Sequence, residues 1–401
     1  MGRVTEPSDV AEIQGLYGVF SFPEKLLQKV WLRGEFDGGA AVTVEGRRVA
    51  VLHPGKWNLL GGPDFRGARV RFDDGAEREG DVELHLHAED WDAHGHADDP
   101  AYRDVVLHVV LFWPPAGCVT RGAGGAAIPI LPLLPILQHD LEAYAADEAV
   151  ETLNGRPASW FLADLAPLDA TQLHALLAPQ AERRWAQKLR YAAMRLEQLG
   201  WEQACHHSAL EVMGYRFNRA SMIRLAARWP LPAWAAGEVT VAVGLAAESG
   251  HWRIQGVRPA NHPRTRLEQY AAWCRACPRW PDVLLGSADG VAPGSGATPE
   301  VRRSAGLKGV RDTLGREVCG DAVRGSRLDT LVCDAFLPLL AARTGNPQLY
   351  ILWFHWFCGD LPPSIAAGLR HLGLAAGPAR PACHGHAQGL LGWLIEREVR
   401  R

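Results

Sequence analysis

Leu26, Leu27, Val30 and Trp31 recur at the spacing of one helical face, and Pro23 suits a helix start. The pattern therefore predicts a first helix over Pro23–Phe36. Val42–Leu52 carries two short β-like runs around Glu45-Gly46, read as a hairpin turn. A loop rich in Gly and Pro, PGKWNLLGGPDF, follows. Ala68–Phe72 and Val82–His87 then read as strands, separated by the polar turn Asp73–Gly80. Asp98–Asp104 suits a short helix. Val105–Trp113 is almost continuously apolar, as a buried strand requires. The order helix, strands, helix, strand predicts an α/β domain over residues 15–137, a mixed sheet flanked by helices.

After a Gly-rich loop at Pro114–Ala127 the period changes. From 138 to 401 the pattern is mainly helical, with candidate helices at Thr171–Leu177, Gln180–Gly200, Gln203–Met213, Arg219–Arg228, Arg264–Arg275, Asp329–Ala342, Gln348–Phe357 and His384–Arg397. Gly286–Pro299 reads as a flexible loop.

Composition adds little until it is divided along the chain. At 47% apolar and 22% charged, the 401 residues can build a core, which excludes intrinsic disorder. A net charge of −3 neither demands nor excludes a polyanionic partner. The opening MGRVTEPSDV lacks the regions of a signal peptide, and no apolar run is long enough to span a bilayer. Eight dispersed cysteines do not form a disulfide scaffold, so a cytoplasmic protein with reduced thiols is expected. The charge, however, is uneven. Gly61–Val110 holds 13 acidic against 5 basic residues, and Ala181–Pro230 holds 4 against 9. Two differently solvated surfaces would account for this. So would an acidic metal site and a basic helical surface, in which Arg183, Arg184, Lys188 and Arg190 meet the phosphates of DNA or RNA.

The acidic stretch also carries the candidate chemistry. If GDVELHLH (Gly80–His87) is a strand, Asp81, Glu83, His85 and His87 share one face, with Val82, Leu84 and Leu86 on the other. A merely solvated face would use Thr, Lys or Ser. Asp64 precedes the neighbouring strand, where a tight hairpin would bring it beside Glu83. Immediately beyond lie His94, His96, Asp98 and Asp99, and the buried strand adds His108. Carboxylates and imidazoles ligate hard and borderline divalent ions. A further site at His87, His94, His96 and Asp99 is therefore a second expectation. For His108, a satisfied core histidine is the better reading.

The order of elements with Pro63-Asp64 and Glu83-Leu84-His85 resembles the PD-(D/E)xK nuclease core. The resemblance implies a restriction-endonuclease-like fold, with Asp64 and Glu83 holding Mg²⁺ or Mn²⁺ and Glu24 of the first helix as a further ligand. His85 stands where that pattern has lysine, and a histidine there can act as a base near neutral pH. The whole chain resembles a bacterial family designated domain of unknown function 2851. The residues that carry this are Glu24–Gln28 with Trp31, HPGKWNLLGGPDF, GDVELHLHAEDWDAHGHADDPAYRDVVLHVV, HSALEVMGYRFN, RPANHPRTRLEQYA and QGLL. That resemblance implies no activity.

The leading expectation is a metal-dependent phosphodiesterase or nuclease, with Asp64, Glu83 and His85 as its catalytic residues. One alternative is a nucleic-acid-binding or adaptor protein with a degenerate core. Another is a hydrolase that binds Zn²⁺ through the histidines. Cys274 and Cys277 have metal or redox spacing but lack a second pair. The absence of GxSxG, GxGxxG and P-loop patterns argues against serine hydrolase and nucleotide-cofactor chemistry.

Overall fold

The computed structural model describes residues 23–139, 141, 144, 145, 148 and 157–399, apart from 74, 255, 256, 258, 288–295 and 377–380. Much of the expected loop at 286–299, and all of the N-terminal stretch read for a signal peptide, lie outside the described residues. The chain divides into two compact units, Met1–Glu148 and Ala149–Arg401.

The first unit is built on a mixed sheet. Helix α1, Glu24–Arg33, buries Leu26, Leu27, Val30 and Trp31 and ends at Gly34, whose φ of 62° is the left-handed stop that glycine takes at low cost. Each of those side chains contributes about 1.5–3 kcal/mol of burial. The expected helix ran on to Phe36, but this cap stops it three residues earlier. Strands β1 (Val49–His53), β2 (Lys56–Trp57), β3 (Phe65–Phe72), β4 (Glu77–His85), β5 (Val105–Val110) and β8 (Ile130–Pro132) form one sheet. Its order is β1-β3-β4-β5-β8, with β2 also paired to β3. The β1, β3 and β4 pairings are antiparallel, and β4–β5 and β5–β8 are parallel. The short strands β6 (Thr120–Arg121) and β7 (Ala127–Ile128) form a separate hairpin, so the second half of the loop expected at Pro114–Ala127 is a paired ribbon.

Two features of this sheet place the site. The register Phe65↔Val82 between antiparallel β3 and β4 sets Asp64 opposite Glu83. The expected turn at Asp73–Gly80 is shorter than predicted, because Glu77–Gly80 already belongs to β4. Gly80 also has a steric reason. A Cβ there would lie 2.6 Å from the Asp104 carbonyl oxygen, so only glycine lets β5 begin this close to β4. Between the parallel strands the chain crosses over through a short helix, α2 (Asp90–Ala93), and a 3-10 turn at Pro100–Tyr102. The latter falls inside the helix expected at Asp98–Asp104.

The second unit is mainly helical. Four of the expected helices lie within a single run, α3 (Ala170–Arg228), interrupted by non-helical backbone at Gly200, Tyr215 and Asn218. The run passes through Pro179, where a break was expected. It starts on a capping box in which Asp169 accepts from Thr171 and Gln172 while Gln172 accepts from the Asp169 amide. Buried aromatics, Trp273, Trp280, Trp353, Trp356 and Phe336 among them, fill the largest core of this unit. The Cys274–Cys277 pair lies at the end of the helix Pro263–Ala276 with both thiols free. No helix among the described residues is long and apolar enough to cross a membrane.

Candidate metal centre

Helix α1 packs against β4, and its polar face points at the carboxylates. Gln28 donates through Nε2 to Asp64 Oδ1 at 2.6 Å and accepts from Trp57 Nε1 at 3.1 Å. Glu24 lies one turn earlier on the same face. The Asp64 amide donates to Glu83 Oε2 at 2.9 Å, and Asp64 Oδ2 accepts from the Leu84 amide at 3.1 Å. The expected hairpin therefore joins Asp64 to Glu83, and both oxygens of Asp64 are oriented by N–H donors.

Glu83 is buried and faces a cluster of imidazoles. Its Oε1 stands 3.7 Å from His85 Nε2 and 3.4 Å from His96 Nε2. His85 Nε2 lies 3.1 Å from His94 Nδ1. One nitrogen from each of His85, His94 and His96 falls within 4.8 Å of the others, the spacing of a shared metal ion. Donor atoms around a tetrahedral zinc stand about 3.3 Å apart, given bonds of about 2.0–2.1 Å. His96 Nε2 is buried and has no hydrogen-bond partner. A buried nitrogen beside a carboxylate, with no hydrogen bond to it, fits a cation better than it fits a folded core.

The local sequence explains how the three rings converge. His85 is the last residue of β4 and is fully buried. The crossover then turns back over the strand end. His94 caps α2, and Gly95, at φ 73°, reverses the chain so that the His96 amide reaches the Trp91 carbonyl at 3.1 Å. The His96 ring stacks on Tyr102 at 3.9 Å, and Trp91 lies against His85, His96 and His108 as an apolar wall. The strand ends at His85, so the alternation expected to carry His87 into the site fails. His87 is exposed and stacks on Phe112 at 4.8 Å. Asp99 is likewise exposed and caps the 3-10 turn through the Ala101 amide.

His108, read from the sequence as a core residue, supports the cluster from behind. His85 Nδ1 meets His108 Nε2 at 2.9 Å, and His108 Nδ1 meets Thr120 Oγ1 at 2.7 Å. The tautomers follow from this chain. If Thr120 accepts from His108 Nδ1–H, then His108 Nε2 accepts from His85 Nδ1–H, and the lone pair of His85 Nε2 faces the other imidazoles. Thr120→Val removes the last acceptor, and metal affinity should fall about 10- to 100-fold. Equilibrium dialysis against zinc checks this; unchanged affinity would dissociate Thr120 from the site.

Electrostatics match that arrangement. Burial pushes His85 down to about 3, helped by His96 and His94, and burial also lowers His96 and His108. His85 and His96 are thus held as neutral imidazoles, the form that ligates a metal, and His108 behind them is neutral too. Burial raises Glu83 to about 9, with the charge of Asp64 adding to it. Burial likewise raises Asp64 to about 7 and, with the charge of Asp90, lifts Glu24. A divalent ion bound beside these carboxyls would lower all three.

The expected phosphate-binding residues sit differently. Arg183 lies 3.7 Å from Glu396, Arg184 donates to Gln388 at 2.5 Å, Lys188 pairs with Asp334 at 2.8 Å, and Arg190 lies over Tyr191. Arg184 and Lys188 are thus engaged within their own unit, while Arg183 and Arg190 stay exposed.

Comparison with curated proteins and with solved structures gives no significant match. A family model described as protein of unknown function (DUF2851) matches residues 24–243, a stretch that contains every residue of the carboxylate and histidine cluster. The chain belongs to that family.

Proposed function

We propose that the N-terminal unit is a transition-metal-dependent hydrolase, with His85, His94 and His96 as ligands and Glu83 as the adjacent proton carrier. The observation that supports this reading is the meeting of three imidazole nitrogens at the end of β4, together with a buried His96 Nε2 that makes no hydrogen bond. Imidazole donors favour zinc and its neighbours over magnesium. Three protein ligands leave a coordination position open, as catalytic sites require. An ion held there supplies Lewis acidity and lowers the pKa of a bound water. Glu83 Oε1, within 4 Å of two of the rings, is placed to take and return that proton. The test is to strip the protein with a chelator, reload it with Zn²⁺, Mn²⁺ or Mg²⁺, and assay an activated ester and an activated phosphodiester. Turnover restored by Zn²⁺ is the expected result. Failure to bind Zn²⁺, or no turnover with any ion, rejects the reading.

A phosphodiesterase with a nuclease-like core is the second reading, and the Asp64–Glu83 juxtaposition favours it. Carboxylate oxygens beside Glu24 would take Mg²⁺ or Mn²⁺. Cleavage of DNA or RNA that needs either ion and disappears in Asp64→Asn would select this reading over the first.

A further inference from the structure

The helical unit contains a cavity of about 610 Å³ whose lining includes Arg302, Arg303, Lys308, Arg311, Asp329 and Phe357. This is the size of a small-molecule site. Four cations and one carboxylate among these residues make a positive focus in a chain whose net charge is −3.

The cations differ in what they already bind. Arg311 is matched to Asp329 by two hydrogen bonds of 2.7 Å. The Arg302 guanidinium donates to the main-chain carbonyls of His355, Trp356, Pro381 and Ala382 at 2.8–3.0 Å and lies 4.6 Å over the Phe357 ring. Those partners fix its position but do not neutralise its charge. The side chains of Arg303 and Lys308 are exposed and make no hydrogen bond or ion pair among the described residues. Thus a rigid, uncompensated guanidinium stands with two free cations at one cavity, and Pro299, Pro381, Ala382 and Phe357 supply an apolar wall.

We propose that this cavity binds a small organic phosphomonoester, the phosphate held by Arg302, Arg303 and Lys308 and the organic body against the apolar wall. Arginine and lysine donors suit a phosphate dianion, and the wall discriminates an esterified phosphate from a free one. The site is independent of the metal centre, so each can fail without the other.

Isothermal titration of the full chain with phenyl phosphate, inorganic phosphate and a short single-stranded oligonucleotide tests it. Phenyl phosphate should bind at least about tenfold more tightly than inorganic phosphate. Arg303→Glu with Lys308→Glu should weaken it by about tenfold or more at unchanged Tm, because both side chains are exposed and unpaired. Arg302 is a poor first target, since its removal frees four carbonyls and threatens the fold. Equal affinity for inorganic phosphate, preference for the oligonucleotide, absence of binding, or indifference to the charge reversals would each overturn the proposal.

Discussion

Replacing His96 with alanine is expected to lower zinc affinity by about 100- to 1,000-fold. The estimate follows from zinc sites worth about 10–16 kcal/mol shared among about four donors. The same change removes a buried nitrogen that makes no hydrogen bond within the protein. Such an orphan costs about 1–3 kcal/mol. The loss of stability without metal should therefore be smaller than the lost packing on Tyr102 alone would give. His85→Ala should match His96→Ala in affinity. His87→Ala is the control, since His87 lies outside the cluster on an exposed turn. Zinc titration in competition with a chromophoric chelator separates the cases. Equal losses in all three variants, or none, would remove the histidine cluster as the metal centre.

The helical unit is expected to lose most of its stability on mild acidification. Burial pushes His206 and His207 down to about 4 and His384 to about 3. His206 is fully buried, bonded to the Tyr270 hydroxyl at 2.6 Å and the Trp229 carbonyl at 2.9 Å. His384 has neither ring nitrogen partnered. The folded pKa of each lies below the unfolded value of 6.5. Below that value the unfolded chain takes up protons that the native state refuses, so stability falls as pH drops from 6.5 toward 4. At about 1.4 kcal/mol per pKa unit, His206 alone accounts for about 3 kcal/mol by pH 4. Domains rest on only about 5–15 kcal/mol. The urea midpoint followed by circular dichroism should therefore fall steeply between about pH 6.5 and 4. A midpoint flat across that interval would mean that these histidines take up protons without unfolding.

What the sequence disclosed about this site depended on distance along the chain. Periodicity located α1, because Leu26, Leu27, Val30 and Trp31 mark one face without reference to anything else. The hairpin logic that set Asp64 near Glu83 used only a local register, and the β3–β4 pairing has that register. Alternation failed two residues beyond the strand, at His87. Nothing in Leu86-His87 announces that β4 ends at His85, and the crossover decides where the later histidines go. His94 and His96 were accordingly read apart from His85, although one turn at Gly95 unites them. That glycine, in a stretch of acids and histidines, was the available signal. The basic stretch of α3 shows the opposite limit. Glu396, Gln388 and Asp334, which engage Arg183, Arg184 and Lys188, are far away in sequence, so no local pattern could have revealed them. The cavity cations Arg302 and Arg311 escaped notice for the same reason.

The three proposed ligands, from His85 to His96, fall within twelve residues. The denatured chain therefore carries the same donors a short loop apart, and closing such a loop takes about 10–100 ns. Two consequences follow. Zinc bound by the unfolded state offsets part of the stabilisation that the native affinity would otherwise give. An ion bound there would also pin the β4–β5 crossover before the parallel pairing forms, a long-range closure that is intrinsically slow. A metal held by these three histidines would be a folding template as much as a cofactor, and its effect would show first in the refolding rate rather than in the melting temperature.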